Sequence, residues 1–168
     1  VITGYLQHWP FAKLRKFLPV LRQHWFKKLD LSLFDLVISS SGNGEAKFVL
    51  SKNEKWQMKN GKSITKPVHI CYCHTPPHFY WRKYEEYLKN PGFRPKWLVR
   101  LGLKLLVKPL RKRDYDAAQS VDYFIANSSH IQNDIKKYYG RDSTVIAPPV
   151  NVEKFATTKN SVAKNKRS

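Results

Sequence analysis

An α/β domain built on a parallel sheet with helices on both faces is expected from three features of this 168-residue chain. Short, wholly apolar runs recur, each closed by small or turn-forming residues. They alternate with segments of helical periodicity, and no internal repeat is evident. A content of 42% hydrophobic and 14% aromatic residues is enough for one compact core and too little for two large ones.

From Lys13 to Leu29, apolar residues at Leu14, Phe17, Leu18, Leu21, Trp25 and Leu29 line one helical face. Pro19 is placed to kink that helix or to begin a second one. In FDLVISSSGNG, Leu36 to Ile38 reads as a buried strand and Ser39 to Gly44 as the tight loop that closes it. Ala46 to Leu50 can start a helix, whereas Lys52 to Lys66 is polar, contains Asn60-Gly61 and reads as an exposed insertion.

Val68 to Cys73, VHICYC, is the second strand, halted by His74-Thr75-Pro76-Pro77 because proline cannot continue a ladder. An aromatic cluster (Phe79, Tyr80, Trp81, Tyr84, Tyr87) and a turn at Asn90-Pro91-Gly92 lead into the basic segment PKWLVRLGLKLLVKPLRKR. A third strand, Asp122 to Asn127, runs into a helix with Ile131, Ile135 and Tyr138 on one face. Ser129 with Gln132 fits a capping box there, and Gly140 suits the left-handed conformation of a helix end. The fourth strand is Thr144 to Ala147, ended by Pro148-Pro149. Residues 1–155 thus form one domain, and 156–168 read as a basic linker or tail without periodicity.

Lys and Arg number 31 against 12 Asp and Glu, a net charge of +19 that attracts phosphates of nucleotides, nucleic acid or lipid headgroups. No apolar run reaches membrane-spanning length and the opening VITGYLQHWPF does not resemble a signal peptide, so a cytoplasmic chain able to touch a membrane face is expected. Two cysteines make no disulfide framework and fit a reducing compartment. The chain begins at Val1 and its only methionine is Met58, so a piece of a longer product is expected.

Ligands of parallel sheets collect at the carboxyl ends of the strands. Four loops qualify: Ser39 to Gly44, His74 to Pro77, Asn127 to Ser129, and Pro148 to Asn151. His74 sits where the second strand must stop, as an imidazole facing a substrate or as a plain strand-end cap. The Ser39–Gly42 and Asn127–Ser129 runs suit a phosphate or sugar oxygen, the second at a helix N-terminus, although helix capping explains it equally. Neither has the spacing of a dinucleotide or P-loop motif.

His69, Cys71, Cys73 and His74 are zinc-ligand types, but alternate strand residues lie roughly 6.5 to 7 Å apart and His74 points the other way, so no metal is expected. From Arg82 to Arg113 the only acids are Glu85 and Glu86. Lys96, Trp97, Arg100, Lys104 and Lys108, with Leu98, Leu101, Leu105 and Leu106, suit a membrane-surface helix drawn to anionic headgroups, or an ordinary surface helix packed on the sheet. A nucleic-acid partner has only the charge in its favour, since no motif of a DNA- or RNA-binding module occurs, and none is expected.

Taken in order, FDLVISSS, HICYCHTPP with its trailing aromatics, and LRKRDYDAAQSVDYFIANSSHIQNDIKKYYGRDSTVIAPPVNVEKF resemble the N-terminal domain of family 4 glycosyltransferases, over about Leu29 to Phe155. The resemblance implies the incomplete N-terminal half of a GT-B fold, whose two Rossmann-like domains face each other across a cleft. It implies a retaining enzyme passing a hexose, mannose being one choice, from a UDP- or GDP-sugar to a lipid-linked or polysaccharide acceptor, with no cofactor or obligatory metal. His74 matches the family histidine that contacts the transferring sugar or phosphate. Ser41, Gly42, Thr75, Asn127 and Ser128 occupy loops bordering the same cleft.

The departures are a missing first strand with its glycine-rich loop, a missing second domain with its paired glutamates, a long Lys52 to Lys66 segment, and Arg113 where tryptophan is typical. By itself the chain is therefore expected to be inactive, requiring the absent domain and located in the cytoplasm, peripherally on the inner face of the plasma membrane. The alternative is a non-enzymatic membrane-surface or partner-binding module.

Overall fold

A computed structural model describes residues 19–31, 33–42, 44–50, 66–92 and 94–150. Their elements are α1 (Pro19–Lys27), β1 (Leu36–Ser41), a 3₁₀ helix (Glu45–Leu50), β2 (Val68–Cys73), α2 (Tyr84–Lys89), α3 (Lys96–Gln119), β3 (Tyr123–Ala126), α4 (Ser129–Tyr139) and β4 (Ser143–Val145). The strands form one parallel sheet in the order β1-β2-β3-β4. The fold is α/β and Rossmann-like, as expected. Residues 1–18, most of the 52–66 insertion and the 156–168 tail lie outside the described residues.

The second strand has the expected bounds, because an apolar run rich in β-propensity meets two prolines. The first is longer than expected. Ser39, Ser40 and Ser41 belong to β1, not to a loop, because parallel pairing with Cys71, Tyr72 and Cys73 gives their backbone groups a ladder. The third strand is one residue shorter at each end than expected, and the fourth begins one residue earlier and ends two residues earlier. Gly140 ends α4 with φ 66°, as expected, but the N-cap is Ser128: its backbone is extended and its Oγ accepts from the Ile131 N–H. Gln132, the expected capping-box partner, instead donates Nε2 to the Ser143 carbonyl at 2.7 Å, tying α4 to β4.

The sequential strand order decides where the helices go. Right-handed crossovers that all step in one direction deliver every connection to the same face. One face accordingly carries Cys71, Cys73, Phe124 and Ala126, packed on Ala118 and Val121 near the end of α3 and on Ile131, Ile135 and Tyr139 of α4. The Phe124 and Tyr139 rings stack at 6.0 Å. On the other face Leu36, Ile38, Val68 and Tyr123 are exposed, Ile38 by 67% and Tyr123 by 64%. Among the described residues helical cover is thus present on one face, where the sequence leads one to expect it on both. A reversal of strand order would send a crossover to the second face, and β1 to β4 contain none.

Beneath the helices lies a buried ionic knot. The Lys47 ammonium of the 3₁₀ helix meets Asp114 Oδ1 of α3 at 2.5 Å, with side-chain exposures of 2% and 0%. Tyr80 OH donates to the same oxygen, while Trp81 Nε1 and Tyr139 OH donate to Oδ2 at 2.8 and 2.7 Å. Lys47 also donates to the Tyr139 hydroxyl. Burial and the Asp114 charge push both phenols up, which keeps them as donors. Gly44, at φ 73°, makes room for the knot, since a Cβ there would lie 3.0 Å from Lys47 Nζ and 3.3 Å from Pro77.

The β2–β3 register is pinned at the amino ends of the strands. Asp122 Oδ2 accepts from the His69 backbone N–H at 2.8 Å, and Asp122 N–H donates back to the His69 carbonyl. Lys66 adds an ammonium to the same carboxylate at 3.0 Å. Partial burial would raise the Asp122 carboxyl, but the His69 N–H and Lys66 outweigh it and hold it below the usual range.

The His69 ring is fully buried, sharing a hydrogen bond with Ser39 Oγ through Nε2, and burial followed by the Lys66 charge lowers its pKa to about 4. The fold therefore keeps this ring neutral. As pH falls below the unfolded value of about 6.5, the unfolded chain gains a proton that the native state refuses. Stability should drop between pH 6.5 and about 4, by on the order of 3 kcal/mol, and the His69 contribution should level off below that. Urea midpoints between pH 7.5 and 4.5, together with NMR titration of the His69 ring, check this. A His69 ring that protonates near pH 6.5 would contradict it.

Candidate functional site at the carboxyl rim

Three adjacent parallel strands end at the same edge, and the residues that follow them meet there. His74 comes immediately after Cys73, which is paired with Ser41 on one side and Ala126 on the other. Strand alternation turns Cys73 into the core and His74 toward the open face, in phase with Tyr72. The exposed imidazole shares a hydrogen bond with Ser40 Oγ at 2.9 Å through Nε2, and its ring stands edge-on to Tyr72 at 5.2 Å. Its backbone carbonyl accepts from Asn127 Nδ2 at 3.2 Å. Ser128 Oγ in turn donates to Asn127 Oδ1 at 3.1 Å.

His74, Asn127 and Ser128 are therefore linked in one chain of contacts across β2 and β3. Ser41 ends β1 at the same rim, and Gly42 beyond it is exposed, with open space where a side chain would stand. Thr75 turns into its own loop, donating Oγ1 to the Pro76 carbonyl at 2.9 Å. The fourth loop, after β4, is exposed as far as Val150, and Asn151 lies outside the described residues. Tyr72 OH reaches the Ile146 carbonyl at 3.0 Å, which brings the start of this loop to the side of the sheet where His74 lies.

Within the Ser39–Gly42 run it is Ser40, rather than the singled-out Ser41 and Gly42, whose side chain meets His74. Its signal is parity: Ser40 pairs with Tyr72, so its side chain shares the face of Tyr72 and of His74 two residues on, whereas Ser39 points into the core toward His69. Chemically, the rim offers an imidazole steadied by a hydroxyl and a ring edge, with Nδ1 unpartnered among the described residues, beside an amide and a hydroxyl. Such a group can donate to, or accept from, a sugar hydroxyl or a phosphate oxygen.

Of the four zinc-type residues, His74 alone is at the rim. His69, Cys71 and Cys73 all face the core, and burial pushes both thiols up, Cys73 to about 12. The two cysteines act as small buried hydrophobes.

The membrane-surface residues are on α3. Lys96, Trp97, Lys104 and Lys108 are exposed on its first four turns, and Lys96, Lys104 and Lys108 have no carboxylate partner among the described residues. Arg100 serves another purpose. Its guanidinium donates to the carbonyls of Leu88 and Lys89 at 2.9 and 3.1 Å and so caps α2. No described helix is long and apolar enough to cross a membrane. No family model matches the chain, and neither a curated protein nor a solved structure does.

Proposed function

We propose that this chain is the acceptor-side, N-terminal part of a retaining glycosyltransferase. It passes a hexose, mannose being one choice, from a UDP- or GDP-sugar to a lipid-linked or polysaccharide acceptor at the cytoplasmic face of a membrane. The observation that carries the reading is the convergence of Ser40, His74 and Asn127, from three neighbouring strands, on one solvent-facing rim. The ordered motifs that resemble family 4 glycosyltransferases lend it support, since the rim histidine is the residue they align with that family's sugar- or phosphate-contacting histidine.

In this reading His74 stabilises charge. When the bond from the sugar to the diphosphate breaks, negative charge grows on the phosphate oxygens, and a donor already fixed by Ser40 and Tyr72 meets it without reorganising. Asn127 holds the His74 backbone and is a positioning residue. The donor nucleotide belongs to a second domain, and no metal is required.

The test is sugar transfer by the complete reading frame that contains this chain, offered UDP- and GDP-hexoses with lipid or polysaccharide acceptors. Transfer with retained anomeric configuration is expected. Failure with every donor and acceptor pair would overturn the proposal.

A further inference from the structure

We infer that the first four turns of α3 dock flat onto an anionic lipid bilayer, with Trp97, Leu98, Leu101 and Leu105 entering the interface and Lys104 and Lys108, at the edge of that face, meeting the headgroups. Trp97, Leu101 and Leu105 recur every fourth residue and Leu98 adjoins them, so they share one helical face. They are exposed by 65%, 47%, 66% and 51% for Trp97, Leu101, Leu105 and Leu98 respectively. Every buried position of α3 lies at Val107 or beyond. Pro109 separates the two halves, where it removes one backbone hydrogen bond of the helix.

Charge settles the occupant. Not one Asp or Glu occurs between Glu86 and Asp114, so the exposed half of α3 is purely cationic. A second copy of a chain with net charge +19 would bring like charges together. Nucleic acid would satisfy the lysines and leave four apolar side chains without a function. An anionic bilayer satisfies both at once.

Docking also sets an orientation. α3 leaves the carboxyl end of β2 and returns to the amino end of β3, so it runs antiparallel to the strands. It is about 36 Å long against roughly 20 Å for a six-residue strand. With its packed residues near the sheet's amino edge, its free turns stand beyond the carboxyl edge, on the His74 side. The bilayer then lies beside the rim, which is where a lipid-linked acceptor would present its headgroup. That last point alone rests on the transferase reading.

The experiment is co-sedimentation of the chain with phosphatidylcholine vesicles, pure or containing roughly a third phosphatidylglycerol, at low and raised salt. Binding only to the anionic vesicles, weakened by salt, is expected. The double variant Leu101→Ser/Leu105→Ser should bind on the order of a hundredfold more weakly, and Lys104→Glu/Lys108→Glu at least about tenfold more weakly. Both should keep the parent thermal midpoint, because these side chains are exposed.

No sedimentation with anionic vesicles, or equal sedimentation of parent and leucine variant, would overturn the inference. So would self-association in the absence of lipid that the leucine variant abolishes, or oligonucleotide binding in place of vesicle binding. Vesicle binding is read without a sugar donor, so its outcome is separate from that of the transfer assay.

Discussion

Replacing Asp114 with alanine is expected to leave little folded protein. Asp114 is completely buried and is the acceptor for Lys47, Tyr80, Trp81 and Tyr139. Its loss strands a buried ammonium and removes the acceptor from three further donors. Breaking a buried pair from one side costs about 3–5 kcal/mol, a large share of the roughly 5–15 kcal/mol that holds a domain together. Desolvating two charges is itself expensive, so the pair adds little beyond what apolar residues would supply, and the penalty lies in the orphaned partner. Asp114→Asn should therefore also be strongly destabilising, because it keeps the shape but not the charge. The double variant Lys47→Met/Asp114→Leu should recover part of the loss. Urea unfolding of the three variants checks this, and an Asp114→Ala protein as stable as the parent would refute the role given to the knot.

Little of that knot is visible in the sequence. Lys47 lies in a short apolar segment and Asp114 at the end of a cationic helix, 67 positions away, and nothing local marks either as buried. Elements that depend on local chemistry are legible: β2 from its apolar run and proline stop, the end of α4 from Gly140, and the rim from the rule that parallel strands end together. What fails depends on neighbours. Three serines look like a loop until a parallel partner gives them a ladder. Adjacent Ser128 and Ser129 are equally good caps until backbone geometry chooses the first. Helical cover is set by strand order, which periodicity does not encode. Ser40 is the instructive intermediate, since parity with Tyr72 would have joined it to His74 once β1 was drawn to full length.

His74→Ala is expected to have the largest effect on activity of any rim substitution. Removing one preorganised donor from a developing phosphate charge lowers turnover by roughly 10²–10³-fold. Because the imidazole is exposed and, among the described residues, is hydrogen-bonded only to the exposed Ser40 hydroxyl, the fold should be indifferent to its loss. Ser40→Ala acts one step back, by freeing the ring. The hydrogen bond it removes is worth about 1 kcal/mol, so the decrease should stay within about tenfold. This graded pair distinguishes a group that touches substrate from one that orients it.

The most direct test of the rim as the place of transfer is the turnover number of the complete reading frame carrying His74→Ala, at saturating donor and acceptor. A fall of roughly a hundredfold or more, with an unchanged thermal midpoint, is the predicted result. Undiminished turnover would remove His74 from the chemistry, and the rim with it.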